Sequence, residues 1–163
     1  MNASLRNDLG LFRDREIGRS QLFLPTSQKL RIEALEDRAL LTAVGLSTLD
    51  AIAAEGTTAN YGSWEISRSG SINTPCTVSF QLSSDSAVYG SDYTLYTSGG
   101  SSVYVYSNQG SVTIPSGSNS VTLQLRPVND AERELSETVT LTLTTYSCGQ
   151  ESGSASGSGQ VIC

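Results

Sequence analysis

The run Asn129-Asp130-Ala131-Glu132-Arg133-Glu134-Leu135-Ser136-Glu137 gathers four carboxylates within nine residues. Carboxylate oxygens are what a hard cation such as Ca²⁺ selects, and such an ion takes about six to eight oxygen ligands at roughly 2.3–2.6 Å. One loop does not readily supply that number, so a site here would recruit acids from other loops at the same end of the molecule. Glu55, ahead of the first clear strand, and Asp92, in Gly90-Ser91-Asp92-Tyr93, are the two that could reach it. Ordinary roles compete with this one. An acidic loop can simply be solvated, Asp92 beside Gly and Ser can cap its own turn, and Glu55 can open a strand. Paired acids such as Glu134 and Glu137 also equip glycosidases, but no segment suggests a cleft to enclose a sugar.

The rest of the inventory points away from catalysis. The chain has no His, which removes the commonest general base, the usual partner of a Ser or Cys nucleophile, and His-based zinc sites. Cys76, Cys148 and Cys163 are scattered, with no C-x-x-C spacing. Charge is uneven: seven bases face six acids up to Arg38, and three bases face ten acids beyond it. So acidic a body repels nucleic acid, which needs clustered Lys and Arg. No apolar run is long enough to span a membrane. The stretch 39–54 is mildly apolar but contains Asp50, and its Ala51-Ile52-Ala53 triplet, of the kind a signal peptidase accepts, follows a basic region too long and mixed for a standard secretion signal.

The elements that must position the acids are strands. After Glu55 the apolar residues recur with period two: Trp64 and Ile66; Val78, Phe80 and Leu82; Val103 and Val105; Val112 and Ile114; Val121, Leu123 and Leu125; Val139, Leu141 and Leu143. Gly, Ser, Pro and Asn separate them. Several short strands, each with one apolar face, predict an all-β, Ig-like antiparallel β-sandwich over residues 51–163. Trp64 shares a face with Ile66 and is expected in the core. Residues 1–50 read differently. Ile32, Leu35 and Ala39 make one face of a short amphipathic helix with Ser27 as its N-cap, and no other segment offers a helical partner. This predicts a flexible, partly helical N-terminal segment that adds nothing to the sandwich.

The pieces Glu55-Gly56, Ser67-Arg68-Ser69-Gly70, Gly90-Ser91-Asp92-Tyr93, Gly110-Ser111-Val112-Thr113-Ile114-Pro115-Ser116-Gly117, and Asn129-Asp130 followed by Glu134 and Glu137, stand in the order seen in Calx-beta domains. The chain resembles that family over nearly all of residues 55–163. The resemblance implies a calcium-binding sandwich with Glu55, Asp92, Asp130, Glu134 and Glu137 as ligands. Two features depart from the pattern: Asn129-Asp130-Ala131 stands where consecutive Asp residues are common, and sensing members carry further Asp residues after the last strand. The stretch 97–109 is an insertion that should add a hairpin. Upstream, Leu35-Glu36-Asp37-Arg38-Ala39-Leu40-Leu41 is similar to the LEPR-XLL motif of large bacterial surface proteins, with Asp37 in place of Pro. That likeness implies export.

Together these readings give a secreted or cell-surface module that binds Ca²⁺ weakly and serves adhesion or structure. Its expected partners are calcium ions and other cell-surface proteins or glycans. The rivals are a metal-free spacer and a carbohydrate-binding sandwich using its tyrosines, among which Tyr104 and Tyr106 alternate with Val103 and Val105, so that one of the two pairs faces outward. In such a sandwich Cys76 and Cys148 fall at the pole opposite the acidic loop, on strands that usually belong to different sheets. They are either bridged or reduced thiols. Cys163 falls near the acidic pole.

Overall fold

The computed structural model describes residues 41–56, 60–129 and 135–163. The chain divides after Asp37, and the unit described here belongs to Arg38–Cys163. The expected helix and the LEPR-XLL-like stretch, apart from exposed Leu41, lie outside the described residues.

Eleven strands follow one another among the described residues: β1 Val44–Asp50, β2 Gly62–Arg68, β3 Cys76–Ser84, β4 Tyr93–Thr97, β5 Ser102–Val103, β6 Val105–Tyr106, β7 Gln109–Ile114, β8 Ser120–Pro127, β9 Thr138–Cys148, β10 Glu151–Ser154 and β11 Ser158–Ile162. One sheet has the order β1-β2-β8-β4-β5, the other β10-β9-β3-β7-β6 with β11 also on β9, and all these pairings are antiparallel. This is the two-sheet sandwich expected from the period-two pattern. Trp64, Ile66, Leu95, Leu123 and Leu125 project from the first sheet and Val78, Phe80, Leu82, Ile114 and Leu141 from the second, all 2 % exposed or less. Burying each such side chain contributes about 1.5–3 kcal/mol.

Three expectations need correction. First, the sandwich starts before residue 51. β1 pairs along β2 from Val44↔Arg68 to Asp50↔Ser63, Val44 is buried and Leu46 packs on the core. The Tyr146 hydroxyl donates to the Thr42 carbonyl (2.7 Å), and the Thr42 hydroxyl donates to the Glu151 carboxylate. The Ala51-Ile52-Ala53 triplet is structural: Ala53 N–H donates to Ile162 O and Ile162 N–H to Ala51 O. Glycine and short polar residues in β1 blurred its alternation.

Second, Cys76 and Cys148 lie at the pole opposite the acidic loop, but in one sheet. They are directly opposed on β3 and β9, with Cα atoms 4.0 Å apart, and are joined by a disulfide. Third, the insertion does more than add a hairpin. β5 pairs with β4 in one sheet and β6 with β7 in the other, so the chain changes sheets at Tyr104. The β6–β7 turn is made by Ser107 and Asn108, both at positive φ (49° and 62°), the conformation a two-residue hairpin loop requires.

Glycine explains why the strand character of 151–162 is hidden. β10 and β11 are two halves of one edge strand along β9, interrupted near Gly157, and before the buried Val161 their Ser/Gly sequence carries no apolar signal. A Cβ at Gly159 would lie 2.4 Å from Thr48 Oγ1 and 2.8 Å from Trp64 Cδ1, so only glycine lets β11 lie over the tryptophan.

Candidate functional site at the acidic pole

Residues 51–56, 60–61, 85–92, 128–129 and 135–137 all lie at the pole where β1, β3, β8 and β11 end and where β2, β4 and β9 begin. Three predicted ligands are described there: Glu55, Asp92 and Glu137. Asp130 and Glu134 lie outside the described residues. Glu55 is exposed beside the Ala54↔Asn60 bridge. Asp92 caps its own turn: Val88 N–H donates to its Oδ2 at 2.6 Å, and Asp92 N–H donates back to Val88 O at 3.0 Å. The Asp92 carbonyl accepts from Val128 N–H at 2.8 Å, which ties this turn to the start of the acidic loop.

Glu137 sits at the far end of that loop. Its backbone pairs both ways with Cys163, whose thiol also faces the Glu137 carbonyl at 3.7 Å. Its Oε1 accepts from the Ser86 hydroxyl, while Oε2 is buried with no hydrogen-bond partner among the described residues. A buried carboxylate oxygen left without a donor is costly unless a proton or cation compensates it. Among the described residues, no three acidic, Cys or His side chains are grouped closely enough to hold a metal. Underneath, burial pushes the Tyr93 phenol up to about 12, and electrostatic interaction with Cys163, Asp92 and Tyr89 acts in the same direction.

Two arginines matter that sequence reasoning did not single out as functional groups. Arg68 is buried at the opposite pole, 5 % exposed, and donates to four carbonyls: Ser118 (3.1 Å), Thr74 (2.6 Å), Ile72 (3.2 Å) and Pro115 (3.0 Å). Arg126 lies on the outer face of the first sheet between two rings, its guanidinium carbon 4.8 Å from the centre of Tyr61 and 4.3 Å from that of Tyr96. Alternation places Tyr96 and Arg126 outward, but only the register Thr94↔Arg126 makes them diagonal neighbours.

No family model and no curated protein matches the chain. Among solved structures it is similar to a collagen-binding domain from a Staphylococcus aureus adhesin, at 13% identity over 76% of this chain and 96% of that one, with a TM-score of 0.31. Among the described residues, no helix is long and apolar enough to cross a membrane.

Proposed function

We propose that the sandwich is an exported, non-catalytic, Calx-beta-like module with an adhesive or structural role at the cell surface. The observation that carries the reading is the Cys76–Cys148 bridge. Disulfides persist in oxidising compartments and are rare where thiols are kept reduced. Outward positions rich in Ser and Thr, such as Thr77, Ser79, Ser111 and Thr113, suit such a surface. Peptide mapping of the unreduced protein should recover the Cys76 and Cys148 peptides linked. Replacing both by Ala should cost about 4 kcal/mol, as expected for closing a loop of this length (sequence separation 72). Native protein in which both thiols react with an alkylating agent would remove the support for export.

A second reading, Ca²⁺ at the acidic pole, is favoured by the buried, unpartnered Oε2 of Glu137 and by the tie between the Asp92 turn and the acidic loop. Glu55, Asp92, Asp130, Glu134 and Glu137 would be the oxygen donors, and the ion would relieve their mutual repulsion. With affinity in the extracellular range, about 10⁻⁴–10⁻³ M, 10 mM Ca²⁺ should raise the melting temperature by about 5–10 °C. Glu134→Ala should abolish most of that shift. An unchanged melting temperature, in the parent and in Glu134→Ala alike, means that this pole holds no calcium.

A further inference from the structure

We propose that the seam crossed by residues 102–106 is a binding groove for a neutral glycan, with Tyr104 and Tyr106 as its stacking residues. The chain has seven tyrosines, and five have internal contacts. Tyr61 and Tyr96 hold Arg126; Tyr89 donates to the Val103 carbonyl at 2.8 Å; Tyr93 is in the core; Tyr146 donates to Thr42 O. Tyr104 and Tyr106 instead stand 76 % and 73 % exposed.

Their presentation is fixed from beneath. Val103 and Val105 anchor the crossing strand in the core, each 6 % exposed, the Tyr89 hydroxyl holds the Val103 carbonyl, and the two-residue turn at Ser107 and Asn108 closes the strand onto β7. Rings held in place before binding lose little freedom on contact, which favours affinity.

Concavities flank Tyr104 on both sides. The larger, about 900 Å³, runs along the seam between the sheets, with Ser101, Ser120 and Thr122 on one wall and Ser111 and Thr113 on the other. The smaller, about 590 Å³, lies over the outer face of the second sheet, where Tyr106 stands with Ser79, Gln109 and Thr145. Tyr104 and Ser111 line both.

The lining identifies the ligand class. Neither concavity contains a charged residue, although the chain carries a net charge of -6. A surface so neutral has no means of selecting an anionic or cationic polymer. Nine of the fifteen residues around the larger concavity are Ser or Thr, which is too polar for the apolar, Arg- and Trp-bearing centre of a protein interface. Hydroxyl and amide groups that both donate and accept, arranged around two exposed aromatic faces, match a ligand with a hydroxyl rim and apolar C–H faces. A pyranose chain is such a ligand.

Affinity electrophoresis of the full chain in neutral polysaccharides (β-1,4-glucan, β-1,3-glucan, α-glucan, galactomannan and soluble chitin oligomers) tests this, with heparin and polygalacturonate as charged counter-probes and EDTA throughout. At least one neutral polymer should retard the chain, and 0.5 M NaCl should leave the retardation unchanged. Tyr104→Ala and Tyr106→Ala should each weaken it about tenfold, and Tyr104→Phe by no more than about twofold, because the ring and not the hydroxyl stacks. Both rings are exposed, so the melting temperatures of the variants should match the parent. Absence of retardation by every neutral polymer, retardation by the charged polymers alone, or Ala variants that bind like the parent would each overturn the proposal. Because EDTA is present, a negative calcium titration does not bear on this result.

Discussion

The two poles of the sandwich handle charge in opposite ways. At one, the Arg68 guanidinium is buried and spent on four loop carbonyls, so a single side chain does for residues 72–74 and 115–118 what a sheet ladder does for a strand. Further bonds follow the same seam, with Gly117 N–H donating to Ile72 O at 2.7 Å and the Ser116 hydroxyl to Asn73 O at 2.8 Å. At the other pole two acids cap local turns, Asp92 with Val88 N–H and Asp50 with Ile52 N–H at 3.0 Å, while Glu137 accepts from Ser86 in another loop. A cation that satisfies carbonyls organises loops from within. Carboxylates that cap their own turns, as Asp50 and Asp92 do, organise only their own loop.

Removing residues 1–50 should have the largest effect on this contrast. It deletes β1 and, with it, the Ala43 carbonyl that accepts from Ser69 N–H at 2.9 Å beside the Arg68 pole. The second sheet partner of β2 and the cover of Leu46 are lost together. The truncated chain should fail to show a cooperative unfolding transition by circular dichroism; retention of the parental melting temperature would show that β1 is dispensable.

Arg68→Met keeps much of the side-chain volume but strands the carbonyls. Leaving buried acceptors unsatisfied costs about 1–3 kcal/mol each where loops cannot relax, so a loss of roughly 3–4 kcal/mol is expected in urea unfolding. Arg68→Lys should recover only part of it, since an ammonium cannot reproduce the planar fork. If Arg68→Met is within about 0.5 kcal/mol of the parent, the loops at that pole hold themselves.

Tyr93 gives a smaller, pH-dependent effect at the acidic pole. Its folded pKa of about 12 lies above the usual value of 10.0. Between those values the unfolded chain loses the proton while the folded chain keeps it. Stability is therefore fully present below pH 10 and falls as pH rises towards 12, by on the order of 2 kcal/mol. Tyr93→Phe should flatten that part of the alkaline stability profile. A phenolate absorbance titration in which all tyrosines ionise near pH 10 in the folded protein would count against the burial argument.

How much of this was legible depended on whether the information was local. Alternation alone located Trp64 and Ile66 in the core and set Val103 and Val105 against Tyr104 and Tyr106, because strand geometry fixes which residues share a face. The change of sheets at Tyr104 leaves the alternation intact and so has no sequence signature. Arg68, inside Ser67-Arg68-Ser69-Gly70, has nothing nearby to mark it as a buried hub, since its partners lie up to 50 residues away. The cysteines were placed at the correct pole by strand order, but their register on adjacent strands is a long-range property. Of the acidic site, the turn role of Asp92 was readable from its Gly and Ser neighbours. The Ser86–Glu137 contact joins two loops and was not.

The bridge also sets how far the module can be drawn out. Ala43 pairs with Ser69 and Cys163 with Glu137, at opposite ends of the sandwich. Tension applied across residues 42 and 163 therefore runs along the strands, shearing β1 against β2 and β11 against β9, so that many ladder bonds are loaded at once and none is peeled singly. Once those strands give way, the Cys76–Cys148 link remains, spanning a sequence separation of 72. At about 3.3–3.6 Å per residue it withholds roughly 240 Å of contour from extension. A chain cross-linked this way yields a short, fixed length and then resists further pulling until the sulfurs are reduced.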